Sequence, residues 1–378
     1  MSLEFTCDAK GLRAFSSQAL RSISTRGTVR VLSGVHLKAT TKKLVGVTTD
    51  MEVAQRITMN VQAQPGSVLI PCKQFDTIVS TFDGDVTVKD MGERVTVSQG
   101  KTTVSVEKLH QDDFPVVPAA DRKDKAVVVM ADHFRPAYKF VRIAASQDQS
   151  RPVLTGIQLK VEDGRMRFAA TDSYRLAFRW TQAACKEGAW DQEQILPAKP
   201  LDETARLLDD SLSFVEIRRA DDRWFSFLVG NVEVLGRRID GQFPSVDQLI
   251  PDGWDTKIEV DREPFVKSLT RVLKIGSPTV PLRLEFFKDG DDELVVKHMQ
   301  QDSHELVDRV PMQPVGDRPK RGWEAFEYGI NPLFAKEAAA AFDTDNITMC
   351  MISPLRPLMF RGERDDEGFL VMPIRLAG

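Results

Sequence analysis

Two similar stretches decide the fold: VLSGVHLK at residues 31–38 and VLTGIQLK at residues 153–160, which lie 122 positions apart. At the same spacing Thr49-Asp50 matches Thr171-Asp172, and seven of the twenty positions from Val31 to Asp50 are identical to their counterparts. Two further pairs follow in the same order: PCKQFD at 71–76 with PAKPLD at 197–202, and DFP at 113–115 with QFP at 242–244. Similarity at a nearly constant spacing indicates an internal repeat. Chance likeness among strand-rich segments is the alternative.

A third, fainter copy occupies the C-terminal part of the chain. Its segment from Asn331 to Phe342 corresponds to the segments from Lys73 to Phe82 and from Lys199 to Leu208. Each copy starts with a predicted helix whose first aspartate suits the N-cap, because its side chain can accept an unpaired backbone N–H. These predicted helices are Asp8–Ser22, Asp132–Ala145 and Asp261–Ile275.

Short alternating strands, glycine-containing turns and a second helix follow each first helix. VTVK at 86–89 and VTVS at 95–98 are two such strands. We therefore predict an α+β fold in which strands outnumber helices. The predicted domains are residues 1–121, 122–252 and 253–378, with proline-containing joints near Pro118 and Pro251.

The composition is that of a globular protein with several domains: 378 residues, 42% hydrophobic and 28% charged. No run of about 18 apolar residues is present, so we expect no transmembrane helix. The first residues carry charges and no apolar signal segment. The four cysteines, Cys7, Cys72, Cys185 and Cys350, lie far apart, which is typical of a reducing compartment and predicts a cytoplasmic protein.

The net charge of −4 conceals a basic set of helices. Each of the three predicted first helices carries a net charge of +2, which leaves −10 for the rest of the chain. Three equivalent helices with this bias favour contact with a polyanion through its phosphates, although charges that merely solvate a helix are the alternative. The helix charges indicate four candidate residues for such phosphate contacts: Arg135, Arg142, Lys267 and Arg271.

No catalytic, metal or nucleotide motif accompanies this basic surface. The five histidines are scattered and form no H-E-x-x-H pair. Gly100-Lys101-Thr102 resembles the end of a phosphate loop, but Val95 stands where that loop needs a glycine. Asp50 and Asp172 are predicted to cap equivalent turns. We therefore expect no catalysis, no cofactor and no metal.

Four motifs carry a family resemblance: RPVLTG at 151–156, ATDSYRLA at 170–177, FPS at 243–245 and MPIRL at 372–376. Together they resemble the bacterial DNA polymerase III β subunits, the sliding clamps, along the whole chain. The resemblance implies three similar domains per chain and two chains joined head to tail in a ring, with helices lining the hole and sheets outside. It implies a non-catalytic processivity factor that encircles double-stranded DNA and tethers the polymerase during replication.

The resemblance also implies site residues. Four positions match DNA-contacting positions of the family: Arg26, Lys73, Gln147 and Lys199. The contact between domain one and domain three of the next chain would involve Val104 and Val106 on a strand edge, with Val272 and Leu273 on a helix. Ordinary core packing is the alternative for these four apolar residues.

A separate cleft in the family binds a short extended peptide of the DNA polymerase III alpha subunit, the clamp loader and other clamp-binding proteins. The positions that match its walls are Leu154, Thr155, Thr171, Tyr174, Arg175, Leu176, Pro244, Leu249, Asn331, Phe334, Leu355, Leu370, Met372, Pro373, Ile374 and Arg375. Ser173-Tyr174 stands where the family often has Gly-His, and Phe334 where a tyrosine is common. Two alternatives stay open: a peptide-binding scaffold that does not encircle DNA, and a phage or second-copy clamp with altered partners.

Overall fold

The computed structural model describes residues 2–25, 29–121, 125–185, 190, 193–208, 213–277, 279–286, 292–300, 304–316 and 327–376. Contacts divide the chain into two compact units. The first consists of Met1–Asp132, Ala183–Asp191 and Lys199–Arg238, and the second of His133–Gln182, Gln192–Ala198 and Ile239–Gly378. None of the helices within the described ranges is long and apolar enough to cross a membrane.

The described residues form eight α-helices and 26 strands. The helices are α1 Ala9–Ala19, α2 Cys72–Ser80, α3 Ala131–Arg142, α4 Pro152–Thr155, α5 Ala198–Leu207, α6 Val246–Leu249, α7 Arg262–Ile275 and α8 Pro332–Ala341. The first fourteen strands are β1 Glu4–Asp8, β2 Gly34–Ala39, β3 Lys43–Thr49, β4 Val53–Asn60, β5 Gln62–Gln64, β6 Gly66–Pro71, β7 Asp85–Asp90, β8 Arg94–Gln99, β9 Thr102–Glu107, β10 Val127–Met130, β11 Gly156–Glu162, β12 Arg165–Thr171, β13 Arg175–Gln182 and β14 Ala184–Cys185. The remainder are β15 Gln194–Pro197, β16 Phe214–Arg219, β17 Trp224–Val229, β18 Val232–Arg237, β19 Thr256–Asp261, β20 Leu282–Glu285, β21 Glu293–Gln300, β22 His304–Pro314, β23 Glu327–Ile330, β24 Asn346–Met351, β25 Leu358–Arg361 and β26 Glu367–Val371.

The first unit contains two antiparallel sheets, with strand orders β5-β1-β7-β8-β9 and β14-β10-β16-β17-β18-β4-β3-β2-β6. The second unit contains one antiparallel sheet, ordered β15-β11-β12-β13-β26-β25-β24-β19-β22-β21-β20-β23. Alternation builds these sheets: Val86 and Val88 on β7 are fully buried between polar neighbours, as are Val95 and Val97 on β8. Helix α1 packs against α2 in the first unit, and α7 packs against α8 in the second.

The predicted repeat is confirmed by two turns with the same hydrogen bonds. Asp50 Oδ1 accepts the backbone N–H groups of Glu52 and Val53, at 3.0 and 2.9 Å. Asp172 Oδ1 accepts those of Tyr174 and Arg175, at 2.9 and 3.0 Å. The two aspartates therefore cap equivalent turns, as the repeat spacing predicts.

Neighbouring repeats share sheets, which is why the two units do not follow the predicted domains. In the first unit β18 pairs with β4, from Val232 opposite Ile57 to Gly236 opposite Val53. In the second unit β26 pairs with β13, with Arg175 opposite Val371. Each unit thus contains one junction between repeats. The boundaries at 121/122 and 252/253 stay predictions.

The three predicted N-caps have three outcomes. The Asp8 side chain accepts the Gly11 N–H at 3.0 Å, so the first cap is confirmed. Asp261 holds the cap position of α7 without a side-chain cap bond. Asp132 is wrong as a cap, because α3 begins one residue earlier, at Ala131. There Asp132 lies in the first helical turn, where a negative charge is favourable as well.

Candidate functional site

The C-terminal tail lies between two segments of the second unit. The Met372 N–H donates to the Tyr174 carbonyl at 2.8 Å, which continues the pairing of β26 with β13. Two residues later the Ile374 N–H donates to the Gly329 carbonyl of β23, also at 2.8 Å. The tail, the loop before β13 and the start of α8 after β23 are therefore brought together by backbone bonds.

Arg175 links this loop to α8. Its guanidinium donates to Asp172 at 2.9 Å and to Glu337 on α8, and it lies over the Phe334 ring at 4.3 Å from the centroid. A cation over an aromatic face is attracted by the ring's negative potential. Asn331 caps α8, because its side chain accepts the Leu333 and Phe334 N–H groups at 2.9 and 3.2 Å. Three predicted cleft residues, Arg175, Asn331 and Phe334, therefore form one rigid corner.

The floor beside this corner is apolar. Leu176 and Leu370 are buried in one cluster with Phe243 and Val246, which flank Pro244. Above it several large apolar side chains are left to solvent. Tyr174 is 65% exposed, and Leu249 and Met372 are each 45% exposed. Exposed large apolar side chains mark a binding site where they lie together, and these three are all predicted cleft residues.

A cavity of about 600 Å³ adjoins the corner and is lined by Arg142, Gln147, Leu154, Tyr174, Arg175 and Glu337, among others. Its size is within the range of sites that hold small ligands or peptide side chains. Arg142 and Gln147 were predicted to contact DNA, and the structure places both at this cavity with Leu154 of the predicted cleft. Contact of Arg142 and Gln147 with DNA stays a prediction.

Two further predicted cleft residues make local hydrogen bonds, and three others lie in the tail or in a loop. The Thr155 hydroxyl donates to the Pro152 carbonyl at 2.8 Å, and the Thr171 hydroxyl to the Arg175 carbonyl at 2.6 Å. Pro373 and Arg375 belong to the tail, whose described residues 372–376 have no regular secondary structure. Leu355 is exposed in the loop between β24 and β25.

The predicted DNA-contacting side chains divide by whether a carboxylate engages them. Lys73 on α2 and Arg135 on α3 are exposed. Lys199 pairs with Asp50, Lys267 with Glu263 at 2.6 Å, and Arg271 with Asp308. Arg26 lies outside the described residues. The paired cations keep one face in solvent and carry a partly neutralised charge.

The Arg271–Asp308 pair ties α7 to β22. Burial of Asp308 works to raise its pKa, but hydrogen bonds from Arg271 and Ser268 outweigh it and lower the pKa of that carboxyl. The carboxylate therefore stays charged, and the pair holds. It restrains the Arg271 side chain in the C-terminal half of α7.

Of the four predicted dimer residues, two are buried inside their own chain. Val106 and Val272 are buried, while Val104 and Leu273 are half-buried. Strand β9, which carries Val104 and Val106, is the last strand of its sheet. Val104 and Leu273 therefore have surface left for a partner, and the interface stays a prediction.

Two protein-family models match the sequence. The N-terminal domain of the DNA polymerase III beta subunit matches residues 3–118, and the central domain of the same subunit matches residues 128–245. Together the two ranges cover more than half of the chain. The chain belongs to the DNA polymerase III beta subunit family.

The chain is 26% identical over 379 residues to the beta sliding clamp of Streptomyces coelicolor, with 95% of the chain and 96% of the relative covered. It is 24% identical over 390 residues to the beta sliding clamp of Staphylococcus aureus strain Mu50, with 99% of each covered. Among solved structures, the DNA polymerase sliding clamp from Bacillus subtilis superposes with a TM-score of 0.89 at 21% identity. The DnaN sliding clamp from Pseudomonas aeruginosa bound to griselimycin superposes with a TM-score of 0.88 at 22% identity. Both comparisons cover 100% of each chain, so the predicted clamp fold is confirmed.

Two residues beside the predicted cleft were missed by sequence reasoning. Glu337 lies three positions after Phe334 on α8, and that spacing places both residues on one helix face. Glu337 could therefore have been predicted from its position relative to Phe334. Gly329 was not: it matters because its backbone approaches the tail, and a Cβ there would lie 2.2 Å from the Ile374 carbonyl oxygen. Only the folded chain shows that approach.

Proposed function

We propose that two copies of this chain close head to tail into a ring around duplex DNA. The ring would slide along the duplex and tether the replicative polymerase through the cleft in the second unit. Encircling DNA makes and breaks no covalent bond, so the proposed role is non-catalytic. Membership of the beta subunit family and the unfinished strand pairing described next support the ring.

The strand pairing between repeats leaves two edges for a second copy. Repeats are joined inside the chain by β18 with β4 and by β26 with β13. The equivalent strands at the two ends are β9 and β22. Within the described ranges β9 pairs with β8 alone, and β22 from His304 to Pro311 pairs with β21 alone. A head-to-tail contact of β9 with β22 of the next chain would repeat the internal junction and close the assembly.

The charges of the long helices suit sliding. Exposed Lys73 and Arg135 would attract the phosphates without reading bases. Lys199 and Lys267 already pair with carboxylates, so each phosphate contact would be weak and easily exchanged. Many weak, salt-sensitive contacts let a ring move along DNA, whereas a few strong ones would hold it in place.

The cleft suits an extended peptide with apolar anchors. Tyr174, Leu249 and Met372 offer exposed apolar contact area over a buried floor, and Met adapts its shape to different side chains. We propose the DNA polymerase III alpha subunit, the clamp loader and other proteins with a similar peptide as partners. A cytoplasmic location follows from this role and stays a prediction.

The ring is tested by comparing how well the protein stays bound to circular DNA and to linear DNA. Clamp loaded onto nicked circular DNA by its clamp loader should co-elute with the DNA in gel filtration, and should be lost after a restriction enzyme linearises the DNA. Equal loss from both forms would refute encirclement. Wild-type protein should sediment as a dimer of about 84.8 kDa, twice the 42.4 kDa of one chain.

A ring-opening variant and a cleft variant separate the two activities. Val104→Lys places a charge on the edge strand β9 and should give monomers that are not retained on circular DNA. Deletion of residues 372–378 should abolish binding of a polymerase-tail peptide and leave the dimer intact. Peptide binding by the deletion variant would contradict the cleft assignment.

A further inference from the structure

One arginine below the cleft is buried. Arg167 lies on β12, and its side chain is only 2% exposed. A guanidinium is costly to remove from water unless charged partners surround it. The side chains that contact the Arg167 guanidinium must therefore compensate its buried charge.

Three polar side chains surround the Arg167 guanidinium. It donates to Asp247 at 2.6 Å, to the Gln158 side-chain oxygen at 3.1 Å and to Glu193 at 3.3 Å. Gln158 in turn donates to Glu193 at 2.5 Å, which fixes the orientation of the amide. The guanidinium also lies over the Trp180 ring, 5.4 Å from the centroid. Of these partners only Asp247 lies on α6, between the predicted cleft residues Pro244 and Leu249.

Helix α6, which carries Asp247, is too short to be stable without contacts to the rest of the protein. It has four residues, and its N-cap Ser245 makes no side-chain cap bond. A helix of one turn has almost no intrinsic stability. Val246 of this helix is buried in the core cluster with Phe243 before it, Ile250 after it packs against that cluster, and Asp247 pairs with Arg167. Leu249 at its end and Pro244 before it are the residues of this segment predicted to line the cleft.

We propose that Arg167 is a positioning residue for the partner-peptide cleft, acting through Asp247 to hold α6 and therefore Leu249 at the binding surface. The inference rests on the proposed peptide-binding function. It assigns to Arg167 an effect on ligand affinity that is separable from its effect on stability. The separation comes from Asp247, whose side chain is 65% exposed and therefore contributes little to the free energy of unfolding.

The test compares affinities for a fluorescent polymerase-tail peptide. D247N removes the charge of the anchor but keeps its size, and should weaken peptide binding about two- to threefold with little change in unfolding midpoint. R167Q should weaken binding at least as much. The double variant R167Q/D247N should bind no more weakly than R167Q, because the two side chains act through each other.

A matched control lies in the first unit. Arg56 is a half-buried arginine on β4 that pairs with Glu233 and donates to the Val117 and Pro118 carbonyls. R56Q should lower the unfolding midpoint much as R167Q does, but should leave peptide affinity unchanged. A comparable loss of affinity in R56Q would mean that general destabilisation, not positioning, explains the effect.

Hydrogen exchange separates this inference from the proposed function. D247N should speed amide exchange in residues 243–250 and leave α8 at the wild-type rate. Wild-type peptide affinity in both folded variants would overturn the positioning role even if the clamp function holds. If the wild-type protein binds no peptide, the function fails, and unchanged exchange at 243–250 would overturn the positioning role as well.

Discussion

Replacing Gly329 by alanine should displace the C-terminal tail from the cleft. An added Cβ would lie 2.2 Å from the Ile374 carbonyl oxygen and 2.9 Å from two side-chain carbons of Leu376. Ordinary contact begins at about 3.4 Å, so the tail must move by about 1 Å. That shift breaks the bond from the Ile374 N–H to the Gly329 carbonyl, which contributes about 1 kcal/mol.

The consequence for binding exceeds that for folding. Met372 and Ile374 would no longer stand at the positions that complete the apolar surface. We expect peptide affinity to fall about tenfold, or about 1.4 kcal/mol, with the dimer intact. Fluorescence anisotropy measures the affinity and sedimentation checks the dimer. Gly253→Ala is the control, because a Cβ at Gly253 meets no atom within 4 Å. Wild-type affinity in Gly329→Ala would refute the role of the tail.

Three further predictions concern backbone conformation, pH dependence and the Arg175 ion pairs. Ser173 and Met51 both have φ of +79°, so Ser173→Gly and Met51→Gly should each raise the free energy of unfolding by up to about 1 kcal/mol in urea titrations. Burial, aided by Lys38, lowers the pKa of His36 from 6.5 to about 4. The unfolded chain takes up this proton first, so stability should be complete above pH 6.5 and decline toward pH 4, and His36→Gln should flatten that decline. Arg175→Met strands two carboxylates and should cost about 2–4 kcal/mol in the same titrations, more than Glu337→Gln.

The repeat was predictable because short, local sequence motifs determine it. The Thr-Asp pairs recur at one spacing, and a turn capped by its own aspartate needs no distant partner. The N-cap prediction failed at Asp132 because the start of α3 depends on a neighbouring element and not on the local motif alone. A cap depends on where the preceding strand ends, and β10 ends at Met130, which lets α3 start before the aspartate.

The cleft could be predicted only through family resemblance, because its proposed parts are far apart in sequence. Tyr174 meets the tail through the pairing of β13 with β26, a contact across almost 200 residues that no periodicity reveals. Arg167 illustrates the same limit. In the alternating stretch RMRF at 165–168 both arginines should face solvent, yet Trp180 and α6 cover Arg167. Alternation predicts the face of a side chain, not what packs on that face.

The two Thr-Asp turns show how one repeat can serve two purposes. The second oxygen of Asp172 binds Arg175 within its own loop, and Arg175 then stacks on Phe334 beside an exposed Tyr174. The second oxygen of Asp50 instead binds Lys199 of the next repeat, and Arg21 joins the same helix through Glu203 at 2.6 Å.

At the repeat spacing, the position of Tyr174 is held by Glu52, and that of Arg175 by Val53. The first junction therefore offers a charged side chain where the second offers an aromatic one. It is also closed by ion pairs to the neighbouring helix. The same backbone turn thus carries ion pairs at one junction and an exposed aromatic side chain at the other, where we propose that a peptide binds. The difference lies in the residues two and three positions after the aspartate.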